Sequence, residues 1–242
     1  MGEAERAPGF GLRARRVLLD LVFPGRCLLC GCWLPPQPGT DSPVCNPCRD
    51  ALVPIHGARC ATCGISLISE IGTCTRCRDA GYAFESNIAL FPYSGAPKEL
   101  IARFKFDGRS RYAALFAAWA AAALGGALDA IPVVPVPPRP GRAAPDAVEL
   151  VARRLEKDHG RDVQRLLERT GGAQQKSLDF AERRRNLSGM LRLACRDGAA
   201  VPSRVILLDD VFTTGATLDA CARVLRGAGC RSVLGLTFAI EE

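Results

Sequence analysis

The sequence predicts an α/β fold, a doubly wound and mostly parallel sheet, preceded by a small cysteine-rich domain. Three observations predict it. Val205, Ile206, Leu207 and Leu208 form an unbroken apolar run, which suits a strand buried on both faces of a parallel sheet. A helical pattern follows, with Leu218, Cys221, Ala222 and Leu225 on one face. Strand-like and helix-like stretches alternate beyond residue 80. Nine of the twelve cysteines lie between Cys27 and Cys77, so composition changes near residue 80 and divides the 242 residues into domains over 1–80 and 81–242. An apolar fraction of 48% is enough for a core.

Taken in order, the chain starts with arginines ahead of a short apolar run, Leu12 to Phe23. That resembles a secretory signal, but Asp20 interrupts it and no small-residue cleavage site follows. An amphipathic helix is expected instead, with Leu12, Arg16, Leu19 and Phe23 available for packing and Pro24-Gly25 ending it. Gly9-Phe10-Gly11 only begins a dinucleotide fingerprint, and no strand precedes it. The longest uncharged run, Tyr112 to Leu128, is a little short for a bilayer and reads as a packed helix. No membrane span and a cytoplasmic location are therefore expected.

The cysteines between 27 and 77 come as four CxxC pairs: Cys27/Cys30, Cys45/Cys48, Cys60/Cys63 and Cys74/Cys77. A CxxC pair can form a tight knuckle presenting two thiolates to one ion, and two knuckles complete a tetrahedral sulfur shell. Sequential pairing assigns Cys27, Cys30, Cys45 and Cys48 to one structural zinc ion, and Cys60, Cys63, Cys74 and Cys77 to another. Sequential pairing is the natural reading, the spacing leaves interleaved pairing open, and a four-cysteine iron–sulfur cluster is the main chemical alternative. Gly31 and Gly64 follow the second cysteine of a pair and suit the turn. Cys32 lies one residue beyond Cys30 and reads as a spare thiol. Disulfides are disfavoured in a cytosolic chain, and four repeated pairs exceed what a thioredoxin-type site uses. With eight thiolates as ligands, neither ion keeps an open catalytic position, so the metals hold the fold.

Beyond residue 80, Asn87 to Tyr93 reads as a strand, Ala96 to Phe106 and Tyr112 to Leu124 as helices, and Ile131 to Pro137 as a strand. Ala147 to Asp158 is helical, Gln164 to Arg169 a strand and Phe180 to Leu187 a short helix. Met190 to Ala194, Arg204 to Asp209 and Ser232 to Ile240 complete the strands. In such a sheet a ligand is expected at the carboxyl ends of the central strands. The net charge of +7 rests on 28 arginines against four lysines. That balance fits phosphate-bearing partners and equally a solubilising surface.

The chemistry concentrates in Val205 to Thr217, VILLDDVFTTGAT. The apolar strand runs into Asp209 and Asp210, then Thr213, Thr214, Gly215, Ala216 and Thr217 lead into the helix. Unpaired N–H groups at a helix N-terminus, threonine hydroxyls and a glycine that permits close backbone approach make an anion site. Two carboxylates in front of it would repel a phosphate ligand unless they met a polyol, and a ribose 5-phosphate satisfies both halves. A Walker loop is excluded, because no Gly-Lys-Ser/Thr triplet occurs here. The stretch resembles the phosphoribosyl pyrophosphate (PRPP) signature of type I phosphoribosyltransferases. The resemblance implies that the acidic pair binds the ribose hydroxyls and the threonine–glycine loop the 5-phosphate.

Phe104-Lys105-Phe106 with Gly108-Arg109, Pro135-Val136-Pro137-Pro138, and Gln175, Leu178, Arg183 and Asn186 follow the cysteine pairs in the order seen in ComF-type proteins. The chain is similar along nearly its whole length to this competence-associated family, which joins a double zinc ribbon to a phosphoribosyltransferase-like domain. The resemblance implies ribose contacts at Asp209 and Asp210 and a phosphate loop over Thr213 to Thr217. It also implies a pyrophosphate-facing loop at Pro137, Pro138 and Arg139, with further phosphate contacts at Lys105 and Arg183. Where the family usually carries Arg-Gly-Phe-Asn, this chain has Gly141-Arg142-Ala143-Ala144-Pro145-Asp146, which displaces an arginine and an aromatic from the acceptor side.

As a transferase, the protein would bind PRPP with magnesium. Arg139 and Lys105 would neutralise the departing pyrophosphate while a nitrogen acceptor attacked the anomeric carbon. The alternative is a non-catalytic nucleotide or single-stranded DNA binding or docking protein assisting DNA uptake or recombination. Its basic track would be Arg183, Arg184 and Arg185, and its ribbons would meet a helicase or DNA-uptake partner. Against that, residues up to Ala80 carry nine arginines, no lysine and seven acidic residues, so the ribbon region is not strongly basic.

Overall fold

The computed structural model describes residues 25–34, 42–107, 110–138, 146–170, 190–194 and 200–241. The expected helices over 12–23 and 180–187 lie outside these residues, as do Arg139, Arg183 and the arginines beside it. The chain forms two compact units, Met1–Ala51 and Leu52–Glu242.

The first unit is built on a knuckle. Arg26 and Trp33 pair as an antiparallel bridge, with the Arg26 guanidinium 4.0 Å from the centre of the Trp33 ring. The Cys27 N–H donates to the Cys32 carbonyl at 2.8 Å, and the Gly31 N–H to the Cys27 carbonyl at 3.0 Å. Gly31 takes φ of +76°, as expected of the residue that closes such a turn. A single helical turn, α1 (Asn46–Asp50), carries Cys48.

The second unit opens with the same device shifted along the chain. Arg59 pairs with Ser66, the Cys60 N–H donates to the Ile65 carbonyl, the Gly64 N–H donates to the Cys60 carbonyl, and Gly64 has φ of +81°. The short helix α2 (Thr75–Arg78) carries Cys77. A four-stranded parallel sheet follows, in the order β1 (Ser86–Pro92), β6 (Ser232–Ile240), β5 (Arg204–Phe212), β2 (Val133–Pro135). Val205 to Leu208 are fully buried at its centre, as their unbroken apolar run requires. Helices α3 (Gly95–Asp107) and α4 (Ser110–Ala123) pack Phe104, Tyr112 and Phe116 in a stack that meets Phe238 of β6. Helix α5 (Ala147–His159) starts at Asp146, whose carboxylate accepts from the N–H groups of Val148 and Glu149, and stops at left-handed Gly160. A separate antiparallel pair, β3 (Leu167–Arg169) with β4 (Leu191–Leu193), makes the fold mostly rather than wholly parallel. Helix α6 (Ala216–Gly227) follows β5. Among the described residues no helix is long and apolar enough to cross a membrane.

Two elements differ from expectation in extent. β2 keeps only three of the seven residues predicted over 131–137, bounded by Pro132 on one side and Pro137 on the other, which lack the N–H that a ladder needs. β5 runs past Asp209 to Phe212, because Asp209, Val211 and Phe212 stay in register with Thr237, Ala239 and Ile240. The acidic pair therefore stands on the strand end, not on the loop.

The second knuckle is docked on this sheet. The Asn87 N–H of β1 donates to the Thr62 carbonyl at 2.8 Å, and its side-chain amide donates to the Cys63 carbonyl and Thr237 Oγ1, both at 3.0 Å. A Cβ on Gly64 would lie 2.5 Å from the Asn87 carbonyl oxygen, so only glycine fits there.

Candidate functional site

A cavity of about 620 Å³ opens at the carboxyl ends of β5 and β2. Its acidic lining is Asp209, Asp210 and Asp146, its basic lining Lys105 and Arg169, and Thr213 and Thr217 also line it. Tyr93, Val136, Pro137, Pro138, Val148 and Val211 make the remaining wall.

The charges are paired without a ligand. Lys105 Nζ lies 2.6 Å from Asp210 Oδ2, with both side chains about three-quarters covered. Asp209 Oδ1 accepts from the Asp210 N–H at 2.8 Å, and Asp210 Oδ1 from the Val211 N–H at 2.6 Å. Burial, reinforced by the Asp210 charge, pushes the Asp209 carboxyl up to about 7, against the opposing pull of the Asp210 N–H and Lys105. The site thus holds a carboxyl poised between its two protonation states near neutral pH.

The loop over 213–215 reaches α6 through Gly215, whose φ of +74° only glycine adopts without strain. Its outer side is occupied: Tyr82 Oη donates to the Thr214 carbonyl at 2.8 Å, and Arg76 Nη1 to the Thr213 carbonyl at 3.2 Å. The Tyr82 ring stacks on Phe84 and meets the edge of Phe212.

The cysteines gather in two clusters. Cys60, Cys63, Cys74 and Cys77 lie with their sulfurs within 4.8 Å of one another, all buried. Cys27, Cys30, Cys32 and Cys45 do likewise, with Cys30 and Cys32 exposed. Burial opposes ionisation of Cys27, yet N–H groups of Cys30, Cys45 and Leu29 outweigh it and bring the thiol down to about 6. Cys60 is lowered to about 6 in the same way by the N–H groups of Cys63, Cys74 and Thr62. Thiolates gathered four at a time and supported by backbone N–H donors suit a tetrahedral zinc ion. Cys48 faces the first cluster from α1, where burial and the thiols of Cys45, Cys30 and Cys27 push its own thiol up. That cluster therefore offers five thiols for four positions.

A family model described as a double zinc ribbon domain matches residues 18–78. Over 198 residues the chain is 26% identical to the competence protein ComFC of Streptococcus pneumoniae (strain ATCC BAA-255 / R6), which covers 80% of this chain and 86% of that protein. Both comparisons support the resemblance to the ComF family.

In this chain the cavity gathers Asp209, Asp210, Thr213, Thr217, Lys105 and Pro138 from three separate stretches. Thr214, Gly215 and Ala216 form the turn behind it, where Thr214 Oγ1 accepts from the Ala216 N–H at 3.4 Å. Three polar lining residues escaped the sequence reading. Arg169 ends a predicted strand, and a charge at a strand's carboxyl end was the available signal. Asp146 precedes a predicted helix and could have been found as its N-cap. Tyr93 ends the first predicted strand.

Proposed function

We propose that this protein binds PRPP, or another ribose 5-phosphate, and acts as a phosphoribosyltransferase-like protein in competence. The observation that carries this is one cavity lined by two adjacent carboxylates near a strand end and by Thr213 and Thr217, the latter in the first turn of the following helix. Asp209 and Asp210 accept hydrogen bonds from the ribose 2- and 3-hydroxyls. The Thr213 and Thr217 hydroxyls and the N–H groups opening α6 donate to the 5-phosphate. The substrate arrives with its magnesium. Lys105 leaves Asp210 as the hydroxyls replace it, and turns to the pyrophosphate together with Arg169. The apolar wall of Tyr93, Val136 and Val148 excludes water from the anomeric carbon. Catalysis then rests on positioning and charge, with no covalent nucleophile.

The match to a protein named for competence supports that role. We place the protein in the cytoplasm, where reducing conditions would keep its cysteines available to zinc.

Calorimetric titration of the zinc-loaded protein with PRPP and magnesium tests the reading. Micromolar to millimolar affinity is expected, about the usual range for such substrates, with loss in Asp209→Asn and Asp210→Asn. Unchanged binding in both variants would remove the carboxylates from the site.

A further inference from the structure

We infer that the second cysteine cluster, through its Cys74–Cys77 knuckle, is a positioning element for the phosphate loop, with Arg76 and Tyr82 as its two arms; the ligand arm of this inference rests on the ribose-phosphate reading. Arg76 lies between Cys74 and Cys77, on a helix of only four residues. Such a helix has no stability of its own, and its anchors are two of the four thiols of the buried cluster. From there Arg76 donates to the Thr213 carbonyl at 3.2 Å and to the Glu241 carbonyl at 3.3 Å. Tyr82, five residues past Cys77, donates to the Thr214 carbonyl at 2.8 Å, and its ring presses against the position a Gly215 side chain would occupy.

Both arms grip carbonyl oxygens. In a trans peptide the C=O of one residue and the N–H of the next point in opposite directions. Fixing the carbonyls of Thr213 and Thr214 toward the knuckle therefore turns the N–H groups of Thr214 and Gly215 away from it, as donors to a phosphate at the start of α6. A loop so held avoids the ordering cost of binding. Cys60, Cys63, Cys74 and Cys77 would hold the zinc that keeps Arg76 in place, so the metal tunes an anion site to which it contributes no ligand.

The experiment follows amide hydrogen exchange across residues 212–218 in the unliganded, full-length protein, together with zinc content and PRPP titration. Arg76→Ala is expected to keep its full zinc content, to accelerate exchange in the loop about tenfold and to weaken PRPP about tenfold, as loss of a hydrogen bond from a charged group predicts. Arg76→Lys should recover part of both effects. Cys77→Ser, which disables the second metal cluster, should give the same exchange signature. Loop exchange unchanged in Arg76→Ala and in Cys77→Ser overturns the inference whatever the ligand does. If wild type fails to bind PRPP, the ribose-phosphate reading falls, and the exchange measurement still decides the clamp.

Discussion

Asp209 concentrates the residue-scale physics. Its carboxyl holds a proton up to about pH 7 when folded, because burial and the Asp210 charge disfavour the anion. Unfolded, it loses that proton near the ordinary carboxylate value. The folded state thus binds the extra proton across the interval between the two, so this residue's contribution to stability is fullest below it and falls as pH rises toward 7. Asp209→Asn removes the burden, and at pH 8 we expect it to stabilise the second unit by about 1 kcal/mol, a rise of about 2–4 °C in melting temperature, while abolishing PRPP binding. A variant destabilised at pH 8 would contradict this. Wild-type affinity for PRPP should rise between pH 6 and 8 as the carboxylate forms, which titrations across that range would measure.

Cys32 is the other residue whose position alone makes a prediction. In the repeat of the two knuckles it occupies the place of Ile65, since each is the carbonyl that receives the N–H of the first cysteine. Spacing therefore marks it as supernumerary, yet its sulfur joins those of Cys27, Cys30 and Cys45. Cys32→Ser and Cys48→Ser should each retain the first zinc, and the double variant should lose it, read as zinc per chain. Loss in Cys48→Ser alone would show that Cys32 cannot substitute.

At the scale of elements, the strand–loop–helix around the acidic pair is a matched set. Gly215 sits where a Cβ would fall 2.6 Å from Phe212 Cζ and 3.0 Å from the Tyr82 ring, at a φ that other residues rarely adopt. Phe212 is fully buried and cannot give way. Gly215→Ala should cost about 1–3 kcal/mol of unfolding free energy in urea; a neutral result would mean that the turn relaxes. Much of this set was legible in advance. Four apolar residues followed by a 3.6-residue period leave little choice of element, and β5, β6 and α5 stand close to where the pattern puts them. The remainder depended on partners. The extension of β5 through Asp210 exists only because β6 continues beside it, and no local pattern of Asp209 to Phe212 announces that. Arg169, Tyr93 and Asp146 reach the cavity from three elements far apart in the chain, and topology alone brings them together.

At the scale of the whole molecule, composition and packing divide the chain differently. Cysteine content changes near residue 80, whereas the compact units part after Ala51. Composition registers residue types; packing registers what those residues share. Cys60, Cys63, Cys74 and Cys77 are buried in one cluster with Phe84, Phe212, Leu218 and Leu225, so the second ribbon is part of the core that carries the sheet. In the first cluster, by contrast, Cys27 is buried while Cys30 and Cys32 are exposed. Metal affinity in a ribbon is folding free energy, and the two ions should therefore leave under different rules. A chelator titration should release the first zinc without altering the unfolding transition of the second unit. The second zinc should come away only as that transition collapses, since its loss strands four thiols inside a packed core. Release of both ions in one step would show that the two ribbons share one stability, and loss of the second with the main transition intact would show that the sheet stands without its ribbon.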